Sequence, residues 1–79
     1  MTIAYVLITT EVGAEEEVRN KLLKEPEIIE ADVVFGVYDL VVKIKAESME
    51  QVRKVVTWKI RRIDKVTSTQ TLIVASEAE

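Results

Sequence analysis

Residues 2–10, TIAYVLITT, are apolar on both sides of the strand they predict. β-Branched and aromatic residues suit an extended chain. Alternation puts Ile3, Tyr5 and Leu7 on one side and Ala4, Val6 and Ile8 on the other. A sheet with one face in water has strands with one polar side, and this strand has none. Both faces of its sheet therefore need cover, from the rest of the chain or from another molecule.

The rest of the chain predicts five further elements. After Gly13, AEEEVRNKLLKEP has Ala14, Val18 and Leu22 four apart, a helical stripe. Glu15, Glu16 and Glu17 fall in its first turn and Lys21 and Lys24 in its last, matching the helix dipole. Glu15–Arg19 and Glu17–Lys21 are expected as ion pairs one turn apart, and Pro26 ends the helix. Period two returns over 27–35, with Ile29, Ala31, Val33 and Phe35 on one face. A turn around Gly36 leads into a strand over 40–46, LVVKIKA, with Leu40, Val42 and Ile44 opposite Val41, Lys43 and Lys45. Ser48 and Gln51 form a capping box for a helix whose inner face is Met49, Val52, Val56, Ile60 and Ile63, widened by Val55. Residues 66–75, VTSTQTLIVA, make a last strand, and the polar end SEAE is expected to fray.

This β-α-β-β-α-β order, with right-handed crossovers, predicts an α+β, ferredoxin-like fold. Its four-stranded antiparallel sheet has order 4-1-3-2 and both helices on one face, in a single domain over 1–79. The other face still carries the apolar residues of the central first strand. Exposed contiguous apolar surface marks an interaction site, and two-fold pairing with a second copy is the economical cover. The chain is expected to be at least a homodimer, its sheets packed face to face.

Composition narrows the chemistry. Cysteine and histidine are both absent from the 79 residues, which rules out disulfides, thiolate zinc, cysteine nucleophiles and imidazole acid–base catalysis. No catalytic residue, metal or cofactor is expected. Eleven basic against fourteen acidic residues give a net charge of −3, the wrong sign for a phosphate-neutralising surface, so direct nucleic-acid binding is not expected. The basic stretch KIRRIDK at 59–65 reads as a solvated helix end, and Trp58 as packing. No apolar run reaches the ~18–20 residues of a membrane span, and the N-terminus lacks a basic leader. The cytoplasm is the expected location. Few Asn and Gln beside many Lys, Arg and Glu resemble a thermophile's usage.

The stretch FGVYDLVVKI at 35–44 places glycine, tyrosine and aspartate together between two strands. With IRRIDKVTSTQTLIV at 60–74 and the opening AYVLITTEVGAEEEVRNKL, it resembles the C-terminal effector (RAM) domain of the Lrp/AsnC feast/famine regulators. The likeness spans essentially the whole chain, and the Gly-x-Tyr-Asp hairpin with the threonine run is its specific part. It implies a dimeric α/β barrel, further assembly into an octamer-like ring, and an amino acid bound between dimers. Two departures stand out. Full regulators carry an N-terminal helix-turn-helix domain, whereas this sequence starts at the first effector-domain strand; it resembles the stand-alone members, which would act by joining a full-length regulator. The family often has Pro-Gly before the last strand, where Asp64 and Lys65 stand here.

A free amino acid needs an anionic acceptor for its ammonium and donors for its carboxylate. By resemblance, Asp39 is the acceptor, Gly36 brings backbone N–H groups, Tyr38 an aromatic wall, and Thr67, Thr69 and Thr71, on one face of their strand, the hydroxyls. Taken without the resemblance, 36–39 reads first as a simple turn and the threonines as strand formers. The leading functional expectation is a non-enzymatic amino-acid-sensing and oligomerisation module. A small dimeric-barrel enzyme of monooxygenase or isomerase type is the alternative, and RNA binding through the sheet, with only four aromatics in the chain, ranks last.

Overall fold

The computed structural model describes residues 1–76. Its elements run β1 (Thr2–Thr10), α1 (Glu15–Leu22), β2 (Ile28–Val33), β3 (Leu40–Ala46), α2 (Met49–Val55), continued by a π-helical turn (Val56–Ile60), and β4 (Val66–Ile73). The strands form one sheet in the order β2-β3-β1-β4, every neighbour antiparallel. This is the ferredoxin-like arrangement expected, with β1 and β3 central.

Ala4, Val6 and Ile8 of β1 and Leu40, Val42 and Ile44 of β3 are buried against Val18 and Leu22 of α1 and Val52, Val55, Val56 and Ile60 from α2 and its extension. The opposite set, Ile3, Tyr5, Leu7 and Val41, is only half-buried, while Leu72 is exposed. Register places Tyr5 between Lys43 and Leu72, and Leu7 between Val41 and Gln70. The helix-free face thus has an apolar centre on β1, with Lys43 and Lys45 along β3.

Several local expectations are revised. Strand β2 starts at Ile28 and ends at Val33, and a bulge between Ile28 and Glu30 breaks the alternation. Ile28 and Ala31, three apart, are therefore the buried pair, while Ile29 is exposed and Phe35 lies beyond the strand. Arg19 pairs with Glu16 at 4.0 Å, not with Glu15, and its Nε donates to the carbonyl of Ala31 at 2.6 Å. That bond gives edge strand β2 a partner from α1.

The second helix opens as expected, Gln51 N–H donating to Ser48 Oγ at 3.1 Å, although the Gln51 side chain accepts from Glu47 N–H. Met49 is exposed. At the far end, Arg61 N–H bonds the carbonyl of Val56, five residues back, at 2.9 Å. In an α-helix each four-residue step drifts by about 40°. The wider turn takes up an extra residue and offsets that drift, so Val52, Val56 and Ile60 all face the core.

Most of the 59–65 cations are engaged rather than simply solvated. Lys59 bridges Glu27 at 3.0 Å and Glu25 at 3.3 Å, tying the second helix to the turn before β2. Lys65 meets Glu17 at 3.1 Å. Arg62 lies over the Trp58 ring at 4.7 Å, so the indole is outside the core, covered by a guanidinium.

Candidate functional site

Strand polarity brings the β2–β3 turn and the start of β4 to one end of the sheet, on opposite sides of β1. Gly36 sits at φ +140°, a conformation that side chains disfavour. Around it the turn holds two apolar side chains fully in solvent, Phe35 at 104% and Val37 at 86% exposure. Tyr38 is half-buried. Packing within the chain gives no reason to hold a phenylalanine and a valine clear of the surface.

Asp39 ends the turn. Its main-chain N–H donates to Ile8 at 2.8 Å, and its carbonyl accepts from Val34 N–H at 2.9 Å. Its carboxylate Oδ2 accepts Thr10 N–H at 2.8 Å, replacing the strand partner that β1 loses as β3 turns away. The acid is held in one orientation, and its other oxygen makes no hydrogen bond among the described residues. Asp39 and Gly36 line a groove of about 350 Å³ with Val33, Val34 and Phe35 and the helix residues Glu15 and Glu16. This groove has apolar walls and, from its side chains, only acceptors.

Across β1 lies a second cleft of about 520 Å³, lined by Arg61, Val66, Thr67, Ser68 and Thr69. The threonines do not share one face. Thr10 pairs with Val66 and Thr9 with Ser68, leaving Thr67 as the extra residue of a bulge. Thr67 and Ser68 both reach Thr9 Oγ1, at 2.7 and 2.6 Å. Thr69 and Thr71 stand opposite Ile8 and Val6 on the helix side. The turn before β4 forms without glycine because Lys65 adopts φ 78°, and its carbonyl accepts Glu11 N–H at 2.9 Å.

The structure therefore gathers Gly36 with Asp39, and separately Thr67 with Thr69. Tyr38 and Thr71 line neither cleft. Glu15, Glu16, Arg61, Ser68 and Thr9 were not anticipated in these places.

Residues 3–79 match the family model described as the Lrp/AsnC ligand binding domain. The chain belongs to the Lrp/AsnC family. The Lrp/AsnC domain here is 38% identical over 72 residues to the HTH-type transcriptional regulator FL11 of Pyrococcus furiosus, covering 91% of this chain and 47% of that protein. It thus spans about half the length of the curated relatives it matches. Among solved structures it is similar to hypothetical protein PHS023 from Pyrococcus horikoshii, with a TM-score of 0.90 and 40% identity over 99% of this chain and 94% of that one. The transcriptional regulator NMB0573 of Neisseria meningitidis, solved as a complex with L-Met, shares the fold at TM-score 0.87 and 18% identity, over 99% of this chain and 52% of that one. The matched domain is a regulatory, ligand-binding one, and its relatives are transcriptional regulators, not enzymes. Among the described residues no helix is long and apolar enough to cross a membrane.

Proposed function

We propose that this Lrp/AsnC domain senses a free amino acid between subunits and converts its binding into a change of assembly. The observation that carries the reading is the Asp39 carboxylate, fixed by Thr10 N–H at the mouth of an apolar-walled groove beside Gly36. A fixed carboxylate suits an ammonium group, and the apolar wall suits a side chain. The Neisseria protein that shares the fold was solved as a complex with L-Met, which supports the reading.

The proposed ligand set is Gly36 and Asp39 from the β2–β3 turn with Thr67 and Thr69 from β4; Tyr38 and Thr71, outside both clefts, would reach the ligand only once subunits assemble. These lie on opposite sides of β1, so a ligand touching both needs two subunits. The helix-free sheet face provides the first contact, a two-fold homodimer; the bare turn residues Phe35 and Val37 provide the second, between dimers in a ring. An assembled ring then joins a full-length regulator and modulates its hold on DNA. Ligand shifts such an equilibrium only by binding one assembly more tightly.

Thermal-shift measurements against each of the twenty amino acids, with molar mass by light scattering with and without each hit, test the reading. Stabilisation by one or a few, accompanied by a change in mass, is expected. A stable chain unmoved by any of them would reduce its role to architecture.

A further inference from the structure

Three of the four cations in 59–65 have evident partners: Lys59 has Glu25 and Glu27, Arg62 has the Trp58 ring, and Lys65 has Glu17. Arg61 has no ion pair or side-chain hydrogen bond among the described residues. Its main-chain N–H closes the π-helical turn on Val56, which holds its Cα at the edge of the cleft that Thr67, Ser68 and Thr69 line. No carboxylate is among the lining residues.

The hydroxyls on the other wall keep one donor to spare. Thr9, Thr67 and Ser68 have three hydroxyl protons between them, and their two mutual hydrogen bonds consume two. Whichever way the protons run, one hydroxyl hydrogen remains. The same cleft is lined by Arg61, whose guanidinium donates and never accepts. The β4 bulge makes this possible by turning Thr67 and Ser68 toward the same Thr9 oxygen, where regular alternation would send them to opposite faces.

We propose that Arg61 adds a guanidinium to the β4 hydroxyls and supplies the charged part of an oxyanion site for the carboxylate of the bound amino acid. In naming that ligand the assignment rests on the function proposed above. The two clefts are complementary in polarity, one offering acceptors around Asp39 and the other donors around Arg61. A zwitterion needs one of each, so the Asp39 groove of one copy and the Arg61 cleft of another make a complete site.

The experiment is calorimetric titration of the intact chain with the amino acid found by thermal shift, with its carboxamide, and with inorganic phosphate. Each titration is repeated on Arg61→Gln, Thr67→Val and the control Arg62→Gln. Arg61→Gln is expected to weaken amino-acid binding by about tenfold or more and Thr67→Val by a smaller factor. Arg62→Gln should leave it unchanged, and the carboxamide should bind wild type and Arg61→Gln equally weakly. Unchanged unfolding temperatures establish that each variant is folded. If Arg61→Gln binds the amino acid as wild type does, the oxyanion site is overturned and the sensing function stands. If no amino acid binds wild type, the sensing function fails instead. Arg61-dependent phosphate binding would then support an oxyanion site with a different source, and no phosphate binding would remove that too.

Discussion

The carboxylate of Asp39 accepts the main-chain N–H of Thr10 at 2.8 Å, joining the start of β3 to the end of β1. One acid thereby has a structural task in addition to its proposed contact with an ammonium group. Two substitutions separate these tasks. Asp39→Asn keeps an acceptor for Thr10 N–H and removes the charge. Asp39→Ala removes both and leaves a part-buried N–H without its partner, at a cost of about 2 kcal/mol.

Asp39→Asn is therefore expected to unfold close to wild type in urea and to lose amino-acid binding. Asp39→Ala is expected to lose binding and stability together. Wild-type affinity in folded Asp39→Asn would leave the acid with its structural role alone.

Lys65 carries a second local tension. Its φ of 78° lies in the left-handed region, where a Cβ crowds the following carbonyl. Its ammonium nevertheless contacts Glu17 across the turn, and that hydrogen bond holds the Glu17 carboxyl below its ordinary range. Lys65→Gly relieves the backbone and forfeits the ion pair. In high salt, where the exposed pair is already screened, the backbone gain dominates. The unfolding temperature is expected to rise by about 5 °C in 0.5 M salt and by less in dilute buffer. A fall in both conditions, measured by calorimetry, would mean that the turn carries no strain worth relieving.

Lys65 also marks where sequence and structure part. The element order and the sheet order follow from alternation and turn signals, because β1 and β3 alternate without interruption, whereas two apolar sides left open which face of β1 meets the helices. What was not legible came from single-residue insertions into that regularity. A bulge at Ile29 changed which residues of β2 are buried, and one at Thr67 moved a threonine away from Thr69 and Thr71. The wide turn after Val55 re-phased the second helix. Each bulge or wide turn costs one residue of register and leaves no mark in composition, so pattern reading passes over it. The clefts suffered most, since both Arg61 and Thr67 sit next to such an insertion. Asp39 was singled out by resemblance, but its bond to Thr10 depends on how two strands end, which no local signal reports.

The apolar centre of the helix-free face predicts self-association. Leu7 lies on β1 between Val41 and Gln70, only half-buried in the single chain. Two-fold packing there would bring the β1 strands of both copies close, in an interface of about 1,600 Å² or more. Leu7→Arg puts two like charges into that contact and disturbs little within one chain. The variant is expected to sediment as a monomer at micromolar concentration while keeping wild-type circular dichroism. Its unfolding temperature should also be lower, because the small core loses the stabilisation that association adds. A wild-type chain that is itself monomeric and fully folded would sink the dimer, and the variant would then have nothing to break.

Lys59 contributes to the dependence of stability on pH. Its ammonium hydrogen-bonds both oxygens of Glu27, at 3.0 and 3.1 Å. That bond holds the Glu27 carboxyl below its ordinary 4.5 and the Lys59 ammonium above its ordinary 10.5. The signs at the two ends differ. For Glu27 the folded value is the lower one, so the pair's contribution is complete above pH 4.5 and disappears as pH falls through the folded value. For Lys59 the folded value is the higher one, so the contribution is complete below pH 10.5 and disappears as pH rises through the folded value. Glu27→Gln removes the acid-side change belonging to this pair. Glu17, also held low by its own lysine, keeps its share. Urea midpoints across pH 3–7 are therefore expected to rise less steeply for Glu27→Gln than for wild type, with the difference confined to the region below about pH 5. Parallel curves over the whole range would mean that the Lys59–Glu27 pair adds nothing measurable to stability in solution.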